Sequence, residues 1–148
     1  MLMSNNINIL KATKENLDDV YTLLCTLVDT VLDKEMFAKV YLSNLTNPCI
    51  HYYVAALDSK IVGFFSLHIQ FLLHHVNKIA EIQELVIDEN NRSSGIGRIL
   101  FQKAKDIAIS EECDLIELCS NQRRTRAHEF YIKQGMKNSH YKFTLPLI

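Results

Sequence analysis

The stretch Glu84-Leu-Val-Ile-Asp88-Glu-Asn-Asn-Arg92-Ser-Ser-Gly95-Ile-Gly97-Arg-Ile-Leu100 decides the fold. It opens apolar and β-branched, crosses a polar run, meets two glycines two residues apart, and then changes to helical periodicity. A strand, a loop and a helix follow one another. The first turn of such a helix has backbone N–H groups without an intrahelical partner, and the positive end of the helix dipole lies with them. Glycine removes the Cβ atoms that hold a ligand away from the backbone, and Arg92 and Arg98 add positive charge. The segment predicts a seat for a phosphate or pyrophosphate. A Walker A loop would need a Lys directly after the second glycine, where Arg98 stands. A dinucleotide fingerprint would need Gly or Ala where Leu100 stands.

Reading outward, Ile96, Ile99, Leu100, Ala104, Ile107 and Ala108 fall on one face of the helix. Cys113 to Cys119 reads as a short apolar strand. Arg124 to Gln134 reads as a helix with Ala127, Phe130 and Tyr131 on one face and Gly135 as its C-terminal cap. Met136 to Leu147 is expected to supply one or two final strands. Upstream, Ile7 to Lys11 alternates like a strand, and Leu17 to Val31 has helical spacing. A second helix, about Lys34 to Leu45, ends before Asn47-Pro48. Ile50 to Leu57 and Ile61 to Phe71 flank the polar turn Asp58-Ser59-Lys60, a hairpin, and Ile79 to Asp88 is the next strand. The order β α α β β β α β α β defines an α/β domain with a mixed sheet.

At 148 residues and 17.1 kDa the chain is expected to be one domain, 1–148. It is 48% hydrophobic and 22% charged, which excludes collagen, mucin-like stalks and extended disorder. Sixteen Lys+Arg against seventeen Asp+Glu leave a net charge of −1, so no global basic field favours nucleic acid. Cys25, Cys49, Cys113 and Cys119 form no CxxC pair and no zinc-finger spacing. The N-terminus, MLMSNNINIL, lacks the basic and apolar regions of a signal peptide. No apolar stretch approaches the ~20 residues that span a bilayer. A cytoplasmic protein with reduced thiols is expected. His68, His74 and His75 fix no metal geometry, and no metal is expected.

Arg92-Ser93-Ser94-Gly95-Ile96-Gly97 fits the pattern Arg/Gln-x-x-Gly-x-Gly/Ala, and so resembles the coenzyme A pyrophosphate loop of the GCN5-related N-acetyltransferase (GNAT) family. Ala127-His-Glu-Phe130-Tyr131-Ile-Lys-Gln-Gly135-Met136 is similar to the family's Ala-x-x-Phe-Tyr-x-x-x-Gly-Phe signature, with Met136 for the usual Phe. The element order resembles the family's as well, so the resemblance covers nearly the whole chain. It implies the acyl-CoA N-acyltransferase fold: a mixed twisted sheet with splayed central strands, flanked by helices. It also implies acetyl-CoA as co-substrate. Residues 92–98 (Arg92, Ser93, Ser94, Gly95, Ile96, Gly97 and Arg98) would hold its pyrophosphate. Backbone groups of Leu85, Val86 and Ile87 would hold the pantetheine, and an N–H of Leu85 or Val86 would steady the thioester oxygen. Asn121 would touch the pantetheine arm, Lys133 and Arg126 would reach the phosphates, and the Tyr131 hydroxyl would lie near the coenzyme sulfur.

The implied reaction is acetyl transfer from acetyl-CoA to an amine. A lysine-like amine costs about 4–5 kcal/mol to deprotonate at pH 7, an α-amine only about 1 kcal/mol. A positioned base therefore helps the first kind more. Tyr131 is the candidate acid for the leaving thiolate, and Glu84 and Glu81 are the candidate bases. Three residues apart, the two carboxylates face opposite sides of a regular strand, and only a bulge would bring both to one face. Asp18, Asp19, Asp29, Asp33 and Glu35 lie on the segments that would shape the acceptor side, where charge on a helix is usually its solvated face. The acceptor stays open among small amines, amino acids, aminoglycosides, polyamines and proteins. Two other readings stand beside this one: a coenzyme-A-binding regulator without turnover, and a toxin-like acetyltransferase of aminoacyl-tRNA. Exposed apolar strand edges would support a homodimer.

Overall fold

The computed structural model describes residues 6–148. The strands are β1 (Ile7–Lys11), β2 (Ile50–Leu57), β3 (Lys60–Leu72), β4 (Asn77–Ile87) and β5 (Ile116–Leu118). The helices are α1 (Leu17–Val28), α2 (Lys34–Leu45), α3 (Ile96–Ser110) and α4 (Thr125–Lys133). By internal contacts the chain forms two compact units, one ending at Glu117 and the other spanning Leu118–Ile148.

The strand order is β1-β2-β3-β4-β5. The pairs β1–β2, β2–β3 and β3–β4 are antiparallel. Alongside β4 the chain runs parallel into β5: Asp114 N–H donates to the Lys78 carbonyl (3.0 Å) and Ala80 N–H to the Leu115 carbonyl (3.0 Å). The sheet is mixed, as the sequence predicts. The β2–β3 hairpin closes through Asp58 and Ser59, both at positive φ (49° and 71°), the backbone of a two-residue turn that follows strand twist.

Val20, Leu23 and Leu24 of α1 and Tyr41 of α2 pack with Tyr52, Val54, Phe64 and Val86 on one face of the sheet. Here a column of rings, Tyr21–Phe37–Tyr41–Tyr52–Phe64, links helices to strands with successive centroids 5.2–6.0 Å apart. Helix α3 covers the other face with Ile96, Leu100, Phe101, Ala104, Ile107 and Ala108 buried. A Cβ on Gly63 would come within 2.9 Å of Leu100 Cδ1, so this glycine lets α3 lie close on β3.

Two expectations are corrected. The first helix stops at Val28, not Val31, because Asp29 turns left-handed (φ 53°) and leaves Val31 exposed. No strand forms over Met136–Leu147: the segment has no ladder partner, and Tyr141, Phe143, Leu145 and Leu147 are exposed.

Candidate active site

The register of β3 against β4 slips between Ser66 and Leu67: Ser66 pairs with Glu84, Leu67 with Ile82, and Gln83 is the extra residue. This is a β-bulge, and it changes which side chains share a face. Residues directly opposite in an antiparallel pair project together. Ser66 and His68 lie two apart on β3, so their partners Glu84 and Glu81 fall on one face. The bulge thus satisfies the condition under which both carboxylates face the same side. Across β2 the rows extend to Tyr52–Ser66–Glu84 and Ile50–His68–Glu81.

Ser66 is wholly buried and, among the described residues, is the one buried polar residue beside the core. Its hydroxyl donates to Glu84 Oε2 and accepts the Glu84 backbone N–H (3.2 Å). The bulge releases that N–H from the ladder, and the serine takes it up while gripping the carboxylate. Next in the row, Tyr52 Oη accepts from Asn44 Nδ2 at 2.7 Å. Burial pushes the Tyr52 phenol upward and the Glu84 charge adds to this, against the Asn44 bond. Behind it, burial holds Tyr41 at about 12, and its hydroxyl donates to the Thr13 carbonyl at 2.7 Å. Sequence reasoning missed Ser66 and Tyr52. The signal was a lone serine within Ile61-Val-Gly-Phe-Phe-Ser-Leu, a run otherwise buried on both faces.

Val86 is buried in the cluster under α1 and α2, while Ile87 reaches the α3 side, its Cδ1 3.1 Å from a Cβ placed on Gly63. Leu85 pairs with Phe65. Beyond them, Asp88 N–H donates to the Val62 carbonyl (2.7 Å), and Asn91 bonds back to Asp88 through both its backbone and its side chain. Arg92 Nε donates to the Ile87 carbonyl (3.3 Å), and Ser94 Oγ to the Asn91 carbonyl. Ser93 (φ 64°) and Gly95 (φ 87°) are left-handed around Ser94. No side chain caps α3 at Gly95, and a Cβ there would meet nothing within 4 Å. Ile96 is buried, whereas Arg92, Ser93, Ser94, Gly95 and Arg98 are exposed and Gly97 half-exposed. The loop is folded by its own bonds, and its exposed first turn suits an anion.

In the second unit, Asn121 closes a turn before α4. Its Oδ1 accepts from Arg123 N–H (3.0 Å), and its carbonyl accepts from Arg124 N–H (3.0 Å) and meets His128 Nε2 (2.9 Å). Tyr131 is buried, edge-on to Phe130. Burial raises its phenol above the ordinary tyrosine value while the Arg124 charge opposes, so it stays protonated at neutral pH. Lys133 is exposed in the last turn of α4, where a cation suits the helix dipole. Gly135, at φ 92°, stands in the capping place that the sequence assigns it.

The acids of α1 and α2 largely answer to neighbours. Asp18 meets Lys34 (2.9 Å), Glu35 meets Lys39 (3.1 Å), and Asp33 caps α2 by accepting from Met36 N–H (2.8 Å). Among the described residues no group of His, Cys, Asp and Glu could hold a metal ion, and no helix is long and apolar enough to cross a membrane.

A mixed sheet leading into a glycine loop and a helix N-terminus is the architecture expected of an acyl-CoA-dependent transferase, and the chain's relatives are of that class. The model of the acetyltransferase (GNAT) family matches residues 17–136, and the chain belongs to that family. It is an N-acetyltransferase, and the family uses acetyl-CoA. The chain is 43% identical to an aminoalkylphosphonate N-acetyltransferase of Salmonella typhimurium over 136 residues, 92% of this chain and 88% of that one. A transcriptional regulator from Bacillus halodurans has the same fold, with TM-score 0.88 at 22% identity over 96% of this chain and 100% of its own. So does an aminoglycoside N-acetyltransferase in complex with CoA, with TM-score 0.87 at 11% identity over 99% and 97%. At these identities the two structures speak for the fold alone.

Proposed function

We propose that this N-acetyltransferase moves the acetyl group of acetyl-CoA to the amine of a small aminoalkylphosphonate. The observation that carries the reading is the 43% identity, along 92% of the chain, to the Salmonella typhimurium enzyme of that name. The family match runs through both compact units, which supports one catalytic domain over residues 1–148. Four free cysteines fit a reducing compartment, and so a cytoplasmic location.

A primary alkylamine is protonated at pH 7, at a cost of about 4–5 kcal/mol to remove the proton, so the reaction gains from a base. Glu84 is that base: the bulge aims it and Ser66 fixes it. Glu81, on the same face, is the second carboxylate and helps to draw in the ammonium. The neutral amine attacks the thioester carbon, a C–N bond forms, and the C–S bond breaks. Glu84 takes the first proton, from the bound ammonium before attack, and later releases it to solvent; Tyr131 gives its phenol proton to the departing sulfur, and the second amine proton, lost from nitrogen after the C–N bond forms, restores the Tyr131 phenol through solvent. The backbone amides of residues 93–98, with Arg92 and Arg98, hold the pyrophosphate. Backbone groups of Leu85, Val86 and Ile87 hold the pantetheine, joined by the Asn121 amide, with Lys133 toward the phosphates.

Thiol release from acetyl-CoA over a panel of amines tests this. Short aminoalkylphosphonates should turn over best, ahead of carboxylate analogues of equal length, and Tyr131→Phe should slow release. Equal rates with the carboxylates would remove the phosphonate assignment and leave the acetyltransferase intact. Binding of acetyl-CoA without thiol release for any amine would favour the regulator.

A further inference from the structure

The bulged register puts more than carboxylates on the face that α1 and α2 cover. The row Ile50–His68–Glu81 lies one repeat from Tyr52–Ser66–Glu84, and Ile50 packs against the cluster beneath the two helices, so His68 belongs to that face. The other basic residues of β1–β4 turn the opposite way. Lys11 pairs with Tyr53, whose ring stacks on Phe65 and lies under Lys103 of α3. Lys60 precedes Ile61, which packs beneath α1 and α2, and so alternates to the α3 side. His51 and Lys78 each approach Glu111, just past α3, at 3.8 Å. Helix α1 carries no basic residue, and Lys34 and Lys39 of α2 are in ion pairs with Asp18 and Glu35. Among the described residues His68 makes no hydrogen bond or ion pair, even with Glu81 directly across from it. All of these elements belong to the unit that ends at Glu117, so the arrangement is internal to that unit.

We propose that His68 holds the phosphonate of the acceptor and so selects a phosphonate-bearing amine over a plain one; this rests on the aminoalkylphosphonate reading above. Such an acceptor has an ammonium at one end and a phosphonate anion at the other, so its site needs an anionic and a basic group a short chain apart. Glu84 is the first. His68, two residues beyond Ser66 on β3, is the diagonal neighbour of Glu84, and diagonal neighbours in an antiparallel pair stand roughly 7–8 Å apart. A chain of about two or three carbons, at about 1.5 Å per bond, covers that span with a hydrogen bond at each end. An imidazole offers one N–H in either neutral tautomer, and two with a positive charge when it is protonated. The oxygens of a phosphonate accept in either case. Glu81, across from His68 on β4, sets the direction of binding. It attracts the ammonium and repels the phosphonate, so the amine lies over β4 toward Glu84 and the phosphonate over β3.

Initial rates with aminoethylphosphonate and with propylamine, which lacks the anion, test the assignment through the ratio of their kcat/KM values. His68→Ala should shrink that ratio by about 10–100-fold, through the KM of the phosphonate, and His68→Lys should restore part of it. Lys60→Ala, on the opposite face, should keep the ratio. If His68→Ala fails to fold, the natural enzyme decides: the assigned ring signals of His68 in an NMR titration should move saturably as ethylphosphonate is added. An unchanged ratio, a loss equal for both amines, or ring signals that stay still overturns the proposal. Where the natural enzyme still prefers phosphonates to carboxylates, such a result leaves the acceptor reading standing and places the phosphonate on other residues. A natural enzyme that treats phosphonates and carboxylates alike removes that reading, and this proposal with it.

Discussion

Among the described residues the antiparallel ladders slip register at two places, and the two slips have different surroundings. Between β2 and β3 the register slips between Ala55 and Ala56, and the surroundings are Ile61, Val62 and Gly63, nearly all buried and apolar. Here the slip changes packing: α3 closes over Gly63, and the Val62 carbonyl turns to accept the Asp88 N–H that begins the glycine loop. Between β3 and β4 the same one-residue slip falls beside Ser66, Gln83 and Glu84. There it moves a carboxylate onto the face of another and frees an N–H for a buried hydroxyl. A bulge has no chemistry of its own; it reassigns faces, and at one slip the side chains reassigned are apolar while at the other they are carboxylates.

Substitutions on either side can break that contrast. Glu84→Gln should have the largest effect, lowering kcat by about 10²–10⁴-fold for alkylamines of high pKa. The loss should shrink for an amine that is already neutral, as single-turnover rates at fixed pH would show. An equal loss for both would mean that Glu84 does not take the proton. At the other bulge, Gly63→Val should leave chemistry alone and cost about 1–3 kcal/mol of stability, since a Cβ already meets Leu100 at 2.9 Å. Denaturant unfolding measures this, with kcat of the surviving folded enzyme as the control. Ser66→Ala belongs to both categories: it strips the Glu84 N–H of its acceptor and the carboxylate of a donor. A stability loss of about 1–3 kcal/mol is expected, with a lower kcat and an unchanged KM for acetyl-CoA; an unchanged kcat would make Ser66 purely structural. Glu81→Gln should be mildest, raising the acceptor KM by less than about tenfold, or about 1.4 kcal/mol. Were it to abolish turnover while Glu84→Gln did not, the two carboxylates would exchange roles.

Much of this was legible in the sequence because the signals were local. Helix α2 begins and ends where spacing and Pro48 place it, Lys34–Leu45, and the Asp58-Ser59 turn closes the hairpin as its residue types demand. The glycine loop and its helix were legible because helix initiation and absent Cβ atoms act within a few residues. Register was not. Whether Glu81 and Glu84 share a face depends on a slip against β3, and nothing in β4 alone announces Gln83 as the extra residue. The end of α1 at Asp29 depends on a single left-handed residue whose neighbours keep helical spacing. The final strand was misread for a related reason: residues 141–147 have the pattern of a strand, but a strand exists only where another backbone pairs with it.

The column of rings from Tyr21 to Phe64 has a bearing on how such an enzyme acquires new acceptors. Tyr52 is both a rung of that column and the neighbour of Ser66 in the row that ends at Glu84. Close-packed aromatics transmit displacement instead of absorbing it. A mutation that reshapes α1 or α2 therefore shifts the seating of Ser66 and Glu84 too. If Glu84 is the base and the two helices wall the acceptor, as proposed, selectivity and rate are mechanically geared together.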